Sequence, residues 1–334
     1  MTHREIRSRV PLLGPRGRLN PEAAAWGRGA MIDTTGIGGL RHWSRTKRWD
    51  YWLVMTPEHC LVLDVSALGY VAFQQVWLYD RATRAAIDTS TVRPFSVGVS
   101  MPPAHGREPV RARAGGICID MEPAGSRTRL RATTPRVVVD LTLERLPVQE
   151  AHGVVVPWSP TRFHYSLRDI GWRVRGTIVA DGVAHEVGEG AWAMLEHGRG
   201  RWPHTVQWQW GVAHGELPDG RRLSFQFAGT WTVGTPSTEN AIVLDGRIQK
   251  VQEEVVWDFD GGDYLEPWHV YGPRVEARFT PVALRSDEPS AAGVLAGDVN
   301  QCFGTWEGHV LLDDGSRLEF DRLEGCAEDA EFRW

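Results

Sequence analysis

Apolar and polar residues alternate at a period of two along most of the chain from about residue 46 onward. Successive side chains of a β-strand point to opposite faces of a sheet, so this period predicts strands with one buried face. No helical pattern of ten or more residues recurs between them, which argues against a parallel α/β sheet with a nucleotide-binding crevice. The clearest predicted strands are residues 51–56, 60–65, 70–79, 136–146, 172–180, 222–229, 274–284 and 309–314.

An aspartate followed by glycine stands between many of the predicted strands. Such a pair suits the positive φ angles of a tight hairpin, so most neighbouring strands are expected to be antiparallel. These pairs are Asp181-Gly182, Asp219-Gly220, Asp245-Gly246, Asp260-Gly261 and Asp314-Gly315.

The number of strands predicts more than one sheet. About twenty short antiparallel strands are too many for one open sheet. Two sandwiches or barrels of roughly 140 residues each would leave fewer unpaired edge strands. Residues 1–45 are rich in Gly, Pro and Arg and show no sustained period, which predicts an irregular arm. The predicted domains are therefore an arm over 1–45, a first β-barrel over 46–189 and a second over 190–334.

Charge and composition exclude several classes of protein. The 334 residues have a formal net charge of -5, and the 37 basic residues are dispersed, unlike those of a nucleic-acid-binding protein. All of these bases are arginine except Lys47 and Lys250, which we attribute to coding bias. The chain has no signal-peptide pattern and no run of about 18 apolar residues, so we expect a cytoplasmic protein without integral membrane insertion.

The four cysteines share no CxxC spacing, and no histidine pair has the spacing of a metalloenzyme. We therefore expect no disulfide framework and no metal. Sixteen tryptophans against six tyrosines indicate one of two things. They form a core of large rings, or they line a wide cavity for a large apolar ligand.

Glu196 is the leading candidate for chemistry. Alternation places it on the same strand face as Trp192 and Met194, so the carboxyl ends a row of apolar side chains. Burial there would raise the pKa of Glu196 and make it a general acid. A bidentate pair with Arg199 or Arg201 would instead keep it charged and purely structural.

Other stretches also gather chemically capable side chains, each with an ordinary structural alternative such as a charged pair, a capped strand edge or a loop that holds backbone groups. The further catalytic candidates are His204, Asp50 and Glu239. The ligand-binding candidates are Trp158, Arg162, His164, Arg199, Trp202, Trp208, Trp210 and Asn240.

A series of segments in this order closely resembles the bacterial domain-of-unknown-function 2804 family. The segments are KRWDYW, QEA (149–151), VVPWSPTRF, HGRGRWP, WTVGTPSTENAIVLDGR, PWHV (267–270), FTP (279–281) and AEDAEFRW (327–334). The resemblance runs from about residue 10 to the end. The family usually has aspartate at the position of Glu196 and tyrosine at that of His204, which alters the reach of both side chains.

A more distant resemblance extends to the carotenoid hydratases. Residues 190–211, with Trp208 and Trp210 as W-x-W, and GTWEGHVLLDDG (304–315) are similar to segments of that group. The group includes kievitone hydratases, tocopherol cyclases and lipocalin-type Diels–Alderases. The resemblance implies two antiparallel lipocalin-like β-barrels and enzymes that hydrate, dehydrate, cyclise or guide pericyclic reactions of large apolar molecules without a cofactor.

The leading hypothesis is a cofactor-independent lyase, isomerase or cyclase that acts on a hydrophobic small molecule, with Glu196 as proton donor. Trp208 and Trp210 would form the pocket wall, and Arg162, Arg199 and His204 would hold a polar end of the ligand. A non-catalytic carrier of lipids or pigments is the alternative, and a pericyclase is a second one. The sequence leaves open the ligand, the oligomeric state, and whether the site lies inside one barrel or between two.

Overall fold

The structure is a computed structural model that describes residues 3–38, 40–291 and 295–334. Within these ranges the chain forms β-strands and short 3-10 helices but no α-helix. This confirms the predicted all-β class. The 3-10 helices are Pro15–Gly17, Pro21–Ala23, Thr35–Ile37 and Leu40–Arg45, and none of the helices in the described part of the chain is long and apolar enough to cross a membrane.

The strands are β1 (Val10–Pro11), β2 (Trp26–Gly27), β3 (Ile32–Asp33), β4 (Thr46–Met55), β5 (His59–Ala67), β6 (Val71–Asp80), β7 (Ala85–Pro94), β8 (Val99–Ser100), β9 (Val110–Ala114), β10 (Ile117–Ala124), β11 (Arg127–Thr133), β12 (Val137–Glu144), β13 (His152–Ser159), β14 (Arg162–Ala180), β15 (Val183–Val187), β16 (Trp192–Arg201), β17 (Thr205–Glu216), β18 (Arg222–Gly229), β19 (Ala241–Leu244), β20 (Arg247–Lys250), β21 (Val256–Asp258), β22 (Trp268–Gly272), β23 (Val275–Asp287), β24 (Ser290–Ala291), β25 (Leu295–Leu311) and β26 (Arg317–Arg333).

Two large antiparallel sheets contain nearly all of these strands. The first has the order β7-β6-β5-β4-β16-β14-β12-β11-β10-β9-β8, with β13, β15 and β2 branching from it. The second has the order β20-β19-β18-β17-β26-β25-β23-β22-β21, with β24 beside β25. Both sheets curl into half-barrels, in agreement with the predicted double-barrel, lipocalin-like architecture.

Each sheet wraps one face around its own apolar core. In the first sheet Trp52, Val54 and Leu63 pack with side chains from the far end of the sheet such as Ile119. Strands β5 and β9 approach one another although they are not neighbours in the sheet, so the curl is pronounced. In the second sheet the core includes Phe225, Phe279 and Trp306.

The opposite faces of the two sheets pack against each other. Alternation along β4 turns Tyr51, Leu53 and Met55 away from the first core and toward Trp210 and Phe303 of the second sheet. The rings of Trp77 and Phe303 stack across this interface with centroids 4.9 Å apart. Burial of each such large side chain contributes about 1.5–3 kcal/mol, so the contact between the sheets is a core in its own right.

The chain passes from one sheet to the other at residues 202–204. Strand β16 pairs with β14 and β4 and therefore belongs to the first sheet, and β17 is the first strand of the second. The predicted domain boundary between residues 189 and 190 precedes β16, so it lies one strand before the point at which the chain leaves the first sheet. Alternation predicts that residues 192–201 form a strand, but it does not encode which strand pairs with it.

Most of the aspartate–glycine pairs close tight hairpins. At Asp181-Gly182 and Asp245-Gly246 both residues have positive φ, as a type I′ turn requires. The pair at Asp260-Gly261 differs, because it lies in the longer loop 259–267 between β21 and β22. There the Asp260 carboxylate accepts a hydrogen bond from the Gly262 amide (2.8 Å), so the aspartate stabilises a loop instead of a two-residue hairpin.

The segment predicted as an arm lies against the core-side face of the first sheet, opposite to the face that meets the second sheet. Ile6, Leu12 and Ile37 pack on Phe163 and Tyr165 of β14, and β2 pairs with β13. Short strands and 3-10 turns replace any long strand in this segment, as its Gly- and Pro-rich sequence predicts. Its buried apolar residues tie it firmly to the first sheet.

Two glycines in β16 allow close packing of this strand. A Cβ at Gly198 would lie 2.1 Å from the indole ring of Trp49, and one at Gly200 would lie 2.6 Å from the Phe163 carbonyl oxygen. The two glycines of the GRG sequence are therefore required by close packing, since no side chain can fit at either position.

We predict that Gly198→Ala destabilises the fold by about 1–3 kcal/mol, the usual cost of overpacking. The added methyl group must displace the Trp49 ring, so the unfolding temperature should fall and the tryptophan fluorescence should change. Gly188→Ala is the matched control, because nothing lies within 4 Å of a Cβ there. Equal unfolding temperatures for the two variants in thermal denaturation would contradict this packing.

Candidate functional site

A cavity of about 120 Å³ lies between the two sheets, beside their apolar interface. Side chains from both sheets line it, and it lies outside both barrel cores. One part of its wall is aromatic and the other carries charged side chains. The lining residues are Trp49, Tyr51, Asp64, Ser66, Leu68, Phe73, Arg168, Glu196, Trp202, Trp208, Trp231, Arg285, Asp287, Pro289, Val299, Glu328, Phe332 and Trp334.

The aromatic part of the wall is a set of five tryptophans that we call the tryptophan cluster: Trp49, Trp202, Trp208, Trp231 and Trp334. Trp202 is its centre. Its ring lies edge-on to those of the other four, with centroid distances of 5.1 Å to Trp49, 5.5 Å to Trp208, 5.3 Å to Trp231 and 5.6 Å to Trp334. Edge-to-face contacts of this kind fix the rings in place, so the wall is preorganised.

The charged part of the wall is built from rows of side chains that are directly opposite each other on neighbouring strands. On the first sheet the register aligns Asp64, Tyr51, Glu196 and Arg168 on β5, β4, β16 and β14. On the second sheet it aligns Trp210, Glu328, Gln301 and Arg285 on β17, β26, β25 and β23. We call these two rows together the polar layer.

The two rows of the polar layer meet across the interface. The Tyr51 hydroxyl donates to Gln301 Oε1 (2.8 Å), and Gln301 Nε2 donates to Glu328 Oε2 (2.9 Å). The Arg168 guanidinium lies over the Trp210 ring, 4.7 Å from its centroid. Each contact joins buried side chains, so the relative position of the sheets is specified by directional interactions as well as by apolar packing.

Arg168 is the most enclosed charge at the cavity, with 2% of its side chain exposed. Its Nη1 forms an ion pair with Glu196, and its Nη2 lies 3.6 Å from Glu239 Oε2. Glu196 also accepts a hydrogen bond from Trp49 Nε1 (3.2 Å). The guanidinium favours the charged form of Glu196, so this carboxylate is suited to accept a proton more than to donate one.

The environment of Asp64 favours the neutral carboxyl, in contrast to that of Glu196. Asp64 lines the cavity, and its Oδ1 accepts a hydrogen bond from the Ser66 hydroxyl (2.7 Å). Burial raises the pKa of Asp64 to about 7, and the nearby Asp287 and Glu328 carboxylates act in the same direction, against Ser66 and Arg285. Burial also raises the pKa of Glu328. A carboxyl that is about half protonated at neutral pH therefore faces a tryptophan-lined cavity.

Three of the residues predicted as site residues line the cavity: Glu196, Trp202 and Trp208. Glu196 does pair with an arginine, but the partner is Arg168. Arg199 and Arg201 lie on the other face of β16 because they are an odd number of residues away from Glu196. Arg199 is fully buried against Asp50, and Arg201 donates to the Gly17 carbonyl.

Asp50 lies on the face of β4 opposite to Tyr51 and away from the cavity. Its Oδ1 lies 2.9 Å from His197 Nδ1 and 2.8 Å from Arg199 Nη1. Ligand atoms of Asp50, His105 and His197 lie within 4.8 Å of one another, a spacing that a metal ion would accept. The Arg199 guanidinium on the same carboxylate oxygen opposes a second cation, and it holds the pKa of Asp50 below its usual range together with His197.

The remaining predicted residues lie near the cavity or away from it. Trp210 and His164 are buried behind the lining; His164 stacks on Trp49 at 4.7 Å. Trp158 donates to the Trp231 carbonyl (2.7 Å). Arg162 donates to the Thr161 carbonyl (3.2 Å), and His204 is exposed.

Glu239 and Asn240 are fully buried outside the cavity lining and hold neighbouring groups. Glu239 accepts a hydrogen bond from Ser166 and lies near Arg168, while burial raises its pKa. Asn240 accepts from the Ala228 amide (2.8 Å) and donates to the Glu253 carbonyl (2.8 Å). Asn240 therefore holds the backbone around β18 and β19, whereas the Glu239 side chain binds two residues of β14.

Sequence reasoning missed five charged residues at the cavity: Asp64, Arg168, Arg285, Asp287 and Glu328. One signal was available for Asp64, a single acid inside the apolar run CLVLDV. A charged residue at the interior of an otherwise apolar strand is costly unless it has a partner or a function. The same signal applies to Arg168 in the buried strand β14.

Both lysines of the chain are buried. Lys250 Nζ donates to the Thr238 hydroxyl (2.6 Å) and to the carbonyls of Thr238, Asn240 and Val251. Lys47 Nζ donates to the Leu68 carbonyl (2.7 Å) and lies 4.1 Å from the centroid of the Trp334 ring. Burial lowers the pKa of each ammonium group to about 7.

The fold and the site define a protein of two packed antiparallel half-barrels with an aromatic, carboxyl-bearing cavity between them. The chain belongs to the family described as domain of unknown function (DUF2804), whose model matches residues 3–334. The resemblance predicted from the sequence is thus confirmed. None of the curated proteins compared with this chain matches it in sequence.

Solved structures of other proteins have a similar fold. An AttH-like protein of Nitrosomonas europaea is 14% identical, with a TM-score of 0.53 over 87% of this chain and 94% of its own. Kievitone hydratase of Nectria haematococca is 10% identical, with a TM-score of 0.51 over 90% of this chain and 92% of its own. At these identities the similarity concerns the fold alone.

The raised pKa of Asp64 predicts a specific pH dependence of stability. The folded protein keeps the Asp64 proton up to about pH 7, whereas an unfolded aspartate releases it near pH 4. The folded state therefore binds more protons between these values, and this group makes stability fall as pH rises. Asp64→Asn removes the effect, so the free energy of unfolding of the variant relative to wild type should rise between pH 4 and 7.

The expected slope is up to about 1.4 kcal/mol per pH unit, levelling off above pH 7. Chemical denaturation at several pH values measures it. Asp321→Asn is the control, because it makes the same change at an exposed side chain. A difference between Asp64→Asn and wild type that does not change with pH would contradict the raised pKa of Asp64.

Proposed function

We propose that the protein is a cofactor-independent enzyme that acts on a hydrophobic small molecule by proton transfer, with Asp64 as the proton donor. The observation that carries the proposal is that this carboxyl and the tryptophan cluster line the same cavity. A neutral carboxyl next to apolar rings can protonate a carbon–carbon double bond, and the ring faces can stabilise the resulting positive charge.

The proton-transfer step leaves few possible outcomes. The π electrons of the double bond take the Asp64 proton and form a new C–H bond, which leaves a carbocation and the Asp64 carboxylate. Addition of water with loss of its proton gives hydration, and loss of a neighbouring proton gives isomerisation. Attack by a second double bond forms a ring and a new carbocation, which becomes a neutral product when it loses a proton. In each case the released proton restores the Asp64 carboxyl directly or through solvent.

Glu196 is suited to a second role in this scheme. Asp64 and Glu196 lie on the two strands that flank β4, so about 10 Å separates their backbones at the usual strand spacing. Arg168 keeps Glu196 charged, and a charged carboxylate can take the proton of an attacking water. We therefore assign proton donation to Asp64 and proton acceptance to Glu196, in place of the donor role that the sequence suggested for Glu196.

The volume of the cavity indicates how a large substrate would bind. An apolar cavity of ~150 Å³ in another protein holds a benzene molecule, so about 120 Å³ accommodates a group of comparable size. We propose that the reacting end of the substrate enters the cavity while the remainder extends through its mouth. The hydration that the name of kievitone hydratase describes is one of the three outcomes given above.

The test uses purified protein incubated with apolar metabolite extracts in D₂O, followed by mass spectrometry. A product that carries one carbon-bound deuterium from solvent is the expected result. Asp64→Asn should lower its rate of formation at least about a hundredfold, the usual contribution of a general acid. The matched control Asp321→Asn, which makes the same change on the surface, should leave the rate unchanged.

The outcomes separate an enzyme from a carrier. A carrier would retain apolar molecules from the extract without changing their mass or isotope content, and Asp64→Asn would have no effect on turnover. Deuterium-labelled product formed equally well by Asp64→Asn would remove the donor role from Asp64. Glu196→Gln would then be tested in the same assay.

A further inference from the structure

The cavity has more carboxylates than it has cations to balance them. Of the four acids that line it, Glu196 pairs with Arg168, and Asp287 lies 3.0 Å from Arg285 Nε. Arg168 is also shared with Glu239, which lies just outside the lining. The described residues thus place at least one excess negative charge around this space whenever the acids are ionised.

Two of the lining carboxyls are held by neutral donors alone. Ser66 donates to Asp64 (2.7 Å), while Trp208 Nε1 and Gln301 Nε2 donate to the two oxygens of Glu328 (2.8 and 2.9 Å). Among the described residues neither carboxyl has a basic group within 4.0 Å. A carboxylate with no counter-ion in direct contact attracts a cation where water screens it poorly, even though Arg285 acts on both carboxyls from farther away.

The aromatic wall favours the same kind of ligand. The faces of tryptophan rings attract cations, and several rings around one site form the cages that bind quaternary ammonium groups. The protein already uses this interaction, since Lys47 lies on the Trp334 ring at 4.1 Å and Arg168 on the Trp210 ring at 4.7 Å.

We infer that the cavity binds an organic cation, an apolar molecule whose quaternary ammonium or protonated amine lies between the Asp64 and Glu328 carboxyls and the tryptophan cluster. This assigns a ligand class to the cavity of the proposed function and rests on that function, because a bound ammonium group mimics the positive charge formed during catalysis. Such a ligand would bind as an inhibitor or as the substrate itself.

The test compares three small probes of similar size and different charge: phenyltrimethylammonium, its neutral isostere tert-butylbenzene, and benzenesulfonate. Calorimetric titration of the full chain at pH 8 should give at least tenfold tighter binding of the cation than of the neutral probe, and the weakest binding for the anion. Equal or tighter binding of tert-butylbenzene would overturn the inference and leave the proposed hydrophobic substrate intact. If none of the probes binds, the inference fails, and the deuterium-incorporation assay alone decides the proposed function.

The pH dependence of binding provides a second readout. Asp64 faces Ser66 on its own strand, Tyr51 on β4, Arg285 and Asp287 on β23, and Glu328 on β26. Because its carboxyl ionises near pH 7, the affinity for the cation should increase from pH 6 to pH 8, whereas the affinity for tert-butylbenzene should not.

Substitution of the two carboxyls tests whether they bind the cation. Asp64→Asn and Glu328→Gln should each reduce the advantage of the cation over the neutral probe at least fivefold, and Asp321→Asn should retain it. Circular dichroism confirms that each variant is folded, and the two acids allow the test to proceed if one variant is not. If both folded variants still bind the cation more tightly than the neutral probe by the wild-type factor, the cation binds elsewhere.

Discussion

The ion pair between Arg168 and Glu196 is the interaction on which the architecture around the cavity depends. A guanidinium this enclosed is costly unless its charge and its donors are matched. Here the match comes from carboxylates on β16 and in the loop before β19, and from the face of Trp210 on the second sheet. The arginine therefore requires both sheets to be in place, and the polar layer that contains it fixes how the sheets sit against each other.

This constraint explains why the cavity lies between the barrels. The inner faces of both sheets are filled by large apolar side chains, which leave their outer faces to meet. Where these outer faces carry charge, they cannot pack as closely as the neighbouring apolar interface. Space remains between the polar layer and the tryptophan cluster, and that space is the site.

Much of the fold could be predicted from the sequence, because alternation and turn residues are local signals. They predicted the strands, the antiparallel hairpins and two separate sheets. They did not predict that β16 joins the first sheet, since the choice of partner depends on distant strands. The ion-pair partner of Glu196 was missed for the same reason: Arg199 is close in sequence but lies on the wrong face, whereas Arg168 lies directly opposite on the next strand.

The site was predictable only in part. Glu196, Trp202 and Trp208 stand in one conspicuous stretch, and all three line the cavity. Asp64, Arg285 and Glu328 come from three separated strands, and nothing in their immediate neighbours marks them as a group. Their proximity follows from the register of two sheets and the way the sheets pack, which a single sequence does not reveal.

The burial of Lys47 and Lys250 has a practical consequence for labelling. Every other basic side chain is arginine, so the folded surface offers no lysine amine to acylating reagents, cross-linkers or modifying enzymes that target lysine. Modification at either lysine requires the surrounding strands to open. The rate of lysine acylation would therefore measure the rate of local opening. Lys47 reports on the cavity rim, and Lys250 reports on the second sheet.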